Sequence, residues 1–178
     1  MPAPEVKAGM AWASAMGLSS RLEEAVAAAL SQLEQSRGLG RPDLVIAFVS
    51  AAYGAAIDQL PKLLRPAFGD ALIAGCNAGG LIGGTGEEED EPGIALLAGR
   101  AADASFALVH LEQATLPPLA ASREQWWRLL ELGPESGASF VLMSDPGTID
   151  AETCARGIDR AFPGAAVIGG LASGATEA

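Results

Sequence analysis

Asp43-Leu44-Val45-Ile46-Ala47-Phe48-Val49-Ser50 is the stretch on which the fold turns. Its apolar residues run without polar alternation, as in a strand covered on both faces, the habit of a parallel sheet. A helix is expected next. Pro61 lacks the N–H that a helix interior uses, so it belongs in a first turn, with the start near Asp58 as the cap. Phe68-Gly69-Asp70 ends that helix, and Ala71 to Cys76 reads as the next strand. The result is a strand–helix–strand unit.

The remaining chain is organised around this unit. Ala8 to Met16 reads as a first strand. Ser20-Arg21-Leu22-Glu23 has the form of a capping box and predicts a helix to about Arg37, ended by Gly38. Asn77 to Gly93 reads as a glycine-rich, acidic loop, in which the glycines from Gly79 onward let other groups approach the backbone. Ile94 to Gly99 and Asp103 to Glu112 read as strands, the second antiparallel to its neighbour. Ser122-Arg123-Glu124-Gln125 opens a helix that carries Trp126 and Trp127. Adjacent residues on a helix cannot both face the core, so one tryptophan is expected to be buried and the other to cover a neighbouring domain. Ser139 to Ser144 is a strand, Asp150 to Phe162 a helix and Ala165 to Gly169 a last strand. The fold class is therefore α/β, a mixed sheet flanked by helices.

The chain matches itself at an offset of 94. Residues 67–80 (AFGDALIAGCNAGG) and 161–174 (AFPGAAVIGGLASG) share six identities in 14 positions, and the same offset carries Ser50 onto Ser144. Each half thus holds strand, serine, helix, Ala-Phe, strand and a glycine-rich turn, giving two similar βαβ units. In such units ligands bind outside the C-terminal ends of the strands. That edge would present Ser50, Cys76, Asn77, Gly79, Gly80, Ser144, Asp145, Gly169 and Gly170. Hydroxyls, an amide, one carboxylate and open backbone N–H groups suit a small polar or zwitterionic ligand better than proton-transfer chemistry.

Composition narrows the partners. Of 178 residues, 49% are hydrophobic and 19% charged, enough apolar material for a packed core. A net charge of −11 repels phosphate backbones and acidic membrane surfaces, so neither nucleic acid nor membrane is an expected partner. No apolar run approaches the roughly 20 residues of a membrane helix. Glu5, with Gly9 and Ser14 interrupting a short apolar stretch, argues against a signal peptide. Cys76 and Cys154 form no CxxC pair and read as reduced thiols. One histidine, His110, placed in the apolar strand Asp103 to Glu112, leaves little for metal or histidine-based catalysis. Gly75-Cys76-Asn77-Ala78-Gly79 is not a nucleophile elbow. The loop GGLIGGTG (79–86) lacks a phosphate-binding pattern, and Glu87 to Glu91 beside it would repel phosphate and lacks EF-hand spacing. No cofactor, metal or catalytic residue is expected. Asp145-Pro146-Gly147 is chiefly a turn.

DLVIAFVSAAYG (43–54), IAGCNAGGLIGGTG (73–86) with the acidic stretch and GIALLAG after it, FVLMSDPGTID (140–150) and AFPGAAVIGGLASG (161–174) together resemble the FIST domain (F-box and intracellular signal transduction). The likeness in order and spacing covers roughly residues 8–174. Asn77 departs mildly from the small polar residue usual there. The resemblance implies a cytoplasmic sensory domain, found in bacteria beside signalling modules and in eukaryotes beside F-boxes, that binds small ligands such as amino acids. It further implies that residues 1–178 are an N-terminal FIST domain, to be followed by further strands and a C-terminal FIST domain or signalling partner. Two other readings stay open. One is a protein-interaction scaffold with an exposed apolar patch near Trp126 or Trp127. The other is a small hydrolase with Cys76 as nucleophile.

Overall fold

The computed structural model describes residues 9–36, 38–84 and 86–173. Ala8, Arg37 and Gly174, named above as element or repeat boundaries, and Glu5 of the signal-peptide argument lie outside them. The described residues form two compact units. One runs to Leu108 and includes Ser173; the other is Val109–Ala172.

The first unit is built on a four-stranded mixed sheet. Its strands are β1 (Met10–Leu18), β2 (Leu44–Ser50), β3 (Leu72–Ala78) and β6 (Gly93–Ala101), in the order β1-β6-β2-β3. β6 is antiparallel to both its neighbours, and β2 and β3 are parallel. Alternation divides the side chains between two faces. Ala15, Val45, Ala47, Val49, Ile94, Leu96 and Ala98 meet Ala25, Val26, Ala29 and Leu33 of α1 (Leu22–Glu34) and Leu60, Leu64 and Phe68 of α2 (Leu60–Phe68). On the other face Met16, Phe48, Ala78 and Ala95 gather around Leu81. Gly17 is where α1 comes closest: a Cβ there would collide with the Ala25 carbonyl and lie 2.8 Å from the Ala29 nitrogen.

Leu81 belongs to β4 (Leu81–Gly83), which pairs with β5 (Gly86–Glu88) as an antiparallel hairpin. The segment Asn77 to Gly93 is thus not the loop that its glycines suggest. Burial of Leu81, which is 3% exposed, pins the hairpin to the sheet. Glu88 Oε1 accepts the N–H groups of Asp90 (2.8 Å) and Glu91 (3.0 Å), which turns the acidic run back toward β6.

Other expectations also need correction. The box Ser20–Glu23 does not cap α1. The extended residue before the helix is Arg21, and Ser19 takes the serine's part, accepting from Arg21 N–H (3.1 Å) and donating to Glu24 (2.8 Å). Asp58 does not cap α2, because a 3₁₀ segment, Ala51–Gln59, intervenes; Pro61 does sit in the first turn. Asp103 to Glu112 forms no strand, and His110 in it is exposed. A strand needs a neighbour to take its hydrogen bonds, and none of the described residues offers this segment one.

The second unit holds a two-stranded parallel sheet of β7 (Phe140–Ser144) and β8 (Val167–Leu171), with α3 (Arg123–Leu130) and α4 (Ala151–Ala161). Gln125 Oε1 accepts the Ser122 N–H (3.1 Å), which closes a capping box at the helix start expected there. Asp150 caps α4 through the Thr153 N–H (3.0 Å). The core is Trp126, Leu130, Ile158, Ala161 and Phe162. Trp126 is 2% exposed and its ring lies against Gly157. Trp127 is half-buried, and its indole N–H donates to the Ala161 carbonyl (2.9 Å), so within this unit it serves the core rather than standing exposed.

Because the close approach at Gly17 is to backbone, which cannot rotate away, Gly17→Ala is expected to destabilise the chain by about 2 kcal/mol, within the range for overpacked cores. Urea unfolding should show a lower midpoint with an unchanged slope.

Candidate functional site

β1, β2 and β3 all run toward one edge of the first unit's sheet, since β6 is antiparallel to β1 and β2. This edge collects Leu18-Ser19, Ser50 with the 3₁₀ segment after it, and the Ala78-Gly79-Gly80 turn. Ser50 lies opposite Ala78 in register, and its Oγ accepts the Ala52 N–H (3.4 Å). Tyr53 ties the edge together, donating its hydroxyl to the Ser19 carbonyl (2.6 Å); burial pushes its pKa up.

β3 runs on to Ala78, so Asn77 is a strand residue like Cys76 and not part of the loop expected from sequence. Their side chains take opposite faces. Cys76 sits beside Phe48 in register on the hairpin face, and Asn77 beside Val49 on the helix face. Partial burial pushes the Cys76 thiol up, which disfavours the thiolate a nucleophile needs. No hydrogen-bond partner of Cys76 is found among the described residues, so no base is seen to activate it.

The turn is where the backbone is open. Gly79 N–H donates to the Ser173 hydroxyl (2.9 Å), and Ser173 N–H donates to the Asn77 carbonyl (3.2 Å). Ser173 is the residue that the sequence reading left out of the site. A signal for it existed, because Ser173 is the repeat partner of Gly79 at the offset of 94. Gly80 is exposed, and a Cβ there would lie 3.3 Å from the Glu89 side chain.

The four remaining candidates lie in the second unit. Ser144 ends β7 opposite Leu171, is 2% exposed, and gives its carbonyl to the Ala172 N–H (2.7 Å). Asp145 turns its carboxylate onto its own loop, where Oδ1 accepts the Gly147 N–H (2.9 Å), so it builds the turn read from Asp145-Pro146-Gly147. Gly169 and Gly170 lie in β8 opposite Leu142 and Met143 and are exposed. At Gly169 a Cβ would collide with the Leu142 carbonyl, and at Gly75, 94 residues earlier, it would collide with the Ala47 carbonyl. The repeat therefore has a steric content in both units: a glycine on the second strand lets the first approach.

Fold and repeat together define an α/β domain with paired strand–helix–strand units. The chain matches the FIST N domain family model over residues 43–178 and belongs to that family, whose members are sensory domains of signal transduction. No curated protein matches the chain. No helix among the described residues is long and apolar enough to cross a membrane.

The raised thiols give a pH signature. A thiol whose pKa is higher folded than unfolded keeps its proton better in the folded state. That contribution is complete below the unfolded thiol pKa and is lost as pH rises through the folded value. Stability should therefore fall on going from neutral pH into the alkaline range, and the Cys76→Ser, Cys154→Ala double variant should show a shallower fall in urea midpoints over the same range.

Proposed function

We propose that this FIST domain binds a small polar, amino-acid-like ligand at the strand ends and does not transform it. The proposed set is Ser50, Cys76, Asn77, Gly79 and Gly80 in the first unit, with Ser144, Asp145, Gly169 and Gly170 as the equivalent strand-end set of the second. One observation carries the reading: at the end of β3 the Gly79 backbone N–H is presented to an oxygen, now the Ser173 hydroxyl at 2.9 Å. A ligand carboxylate supplies the same oxygen with a full charge, and hydrogen bonds to ionised acceptors are about twice as strong as neutral ones. The raised thiol of Cys76 and the exposed position of His110 favour binding over catalysis. A cytoplasmic setting and a signalling partner, such as a C-terminal FIST domain, belong to the same proposal.

A second reading, an interaction scaffold, is favoured by Val141 and Ile168. They are paired across β7 and β8 and are 52% and 66% exposed. The apolar patch is there and not at Trp126, which is buried, or Trp127, which is half-buried and bonded.

A thermal-shift screen of amino acids and related metabolites tests the first reading. A ligand of the folded state at one hundred times its Kd adds about 2.7 kcal/mol of stability, a rise of several degrees in the midpoint. The rise should belong to one compound class and vanish in Ser50→Trp. A flat response across the library, with a binding partner lost on Ile168→Asp, would favour the scaffold.

A further inference from the structure

The opposite edge of the same sheet holds a separate cavity. Leu44 and Leu72 begin the parallel strands that end at Ser50 and Ala78, about 20 Å away at strand rise. Beyond these N-terminal ends lies a cavity of about 450 Å³, within the usual range for small-ligand sites. Arg41, Asp43, Asp70, Leu72, Ser105 and Phe106 line it.

Its chemistry is specific. Arg41 carries five N–H donors in a planar fork, and only the one shared with Asp70 (2.8 Å) has a partner among the described residues. That pair is solvated, with side chains 68% and 99% exposed, and exposed pairs are weak. Arg65 is committed elsewhere, to the carbonyls of Gly69 and Ala71, and so braces the wall. Asp43 spends one oxygen on the Ala101 N–H (3.0 Å). Ser105 has an unpartnered hydroxyl among the described residues, and half-buried Leu72 and Phe106 supply apolar walls. A single guanidinium flanked by two carboxylates rejects polyanions such as nucleotides. It accepts one carboxylate end-on, in the two-bond geometry that the fork offers.

We propose that this cavity is a second binding site, for a small monocarboxylate with an apolar body. The carboxylate takes the fork of Arg41 in place of Asp70, Ser105 donates to it, and the body lies on Leu72 and Phe106. The site is independent of the strand-end set above.

The test is a titration of the full 178-residue chain with 3-phenylpropionate, followed by amide chemical shifts. The expected result is saturable shifts at residues 43, 72, 105 and 106, none of which belongs to the strand-end set. Arg41→Gln should weaken binding tenfold or more. Asp70→Asn, a change at a fully solvated side chain that leaves the fold intact, should tighten it at least twofold, because it releases the guanidinium. Shifts that do not saturate, equal shifts with 3-phenylpropylamine, an Arg41→Gln variant that binds as well, or weaker binding by Asp70→Asn would each overturn the proposal.

Discussion

The first unit depends on the pairing of β6 along both of its edges. Gly93 to Ala101 bond to β1 over nine residue pairs and to β2 over six. This brings Met10 beside Ala101 and closes most of the unit into one loop of chain. Its inward side chains, Ile94, Leu96 and Ala98, form the floor on which α1 and α2 rest. The direction of β6 also explains the hairpin. Because β6 is antiparallel to β2, it starts at the edge where β3 ends. The chain between Ala78 and Gly93 has only to turn, yet it has more residues than a turn requires. The surplus folds onto the sheet as β4 and β5, and Leu81 covers Ala95 and Phe48. The polar hairpin is thus a consequence of strand direction, paid for by one buried leucine.

That origin explains what could be read from the sequence and what could not. β2 and β6 show themselves as apolar runs because both faces of each are covered, and β3, at the sheet edge, as an apolar run that is mostly half-buried. The Ser122 box and the Asp150 cap are local hydrogen bonds between residues three apart, and such pairs are legible. The hairpin was hidden because its glycines state only what the backbone permits, while the burial of Leu81 is a contact across the sheet. Asp103 to Glu112 failed for the opposite reason. Its apolar residues resemble a strand, but strand structure belongs to a pair, and no described residue supplies the other member. The shift from Ser20 to Ser19 is smaller: two adjacent serines compete for one cap, and the geometry of the turn out of β1 decides between them.

The site was legible to about the same depth. The repeat located the strand ends and paired Ser50 with Ser144. It could not show that β3 continues two residues past Cys76, which places Cys76 and Asn77 on opposite faces and separates their chemistry. Nor did it show that Asp145 is satisfied by its own loop. What the repeat contains physically is the pair Gly75 and Gly169, each under the carbonyl of a neighbouring strand, and the hydrogen bond between the equivalent positions Gly79 and Ser173. The register differs slightly between the copies, Ile46 lying opposite Ala74 and Phe140 opposite Val167, 28 and 27 residues on. A strict repeat would have kept one number. The copies share a steric solution and not a superimposable frame.

The Gly79–Ser173 bond also sets the terms on which a ligand could act. An N–H already satisfied by the chain offers a ligand only the difference between two acceptors. A neutral oxygen gains little there, since it replaces a hydroxyl with its like. A carboxylate gains more, because charge strengthens the bond. On the proposed reading, selectivity for an anion would thus follow from self-occupancy of the site, without any basic residue in the strand-end set. A ligand shifts an equilibrium only by its differential affinity for two states, and on the proposed reading the state without ligand is the one held by the hydrogen bonds Gly79 to Ser173 and Ser173 to Asn77.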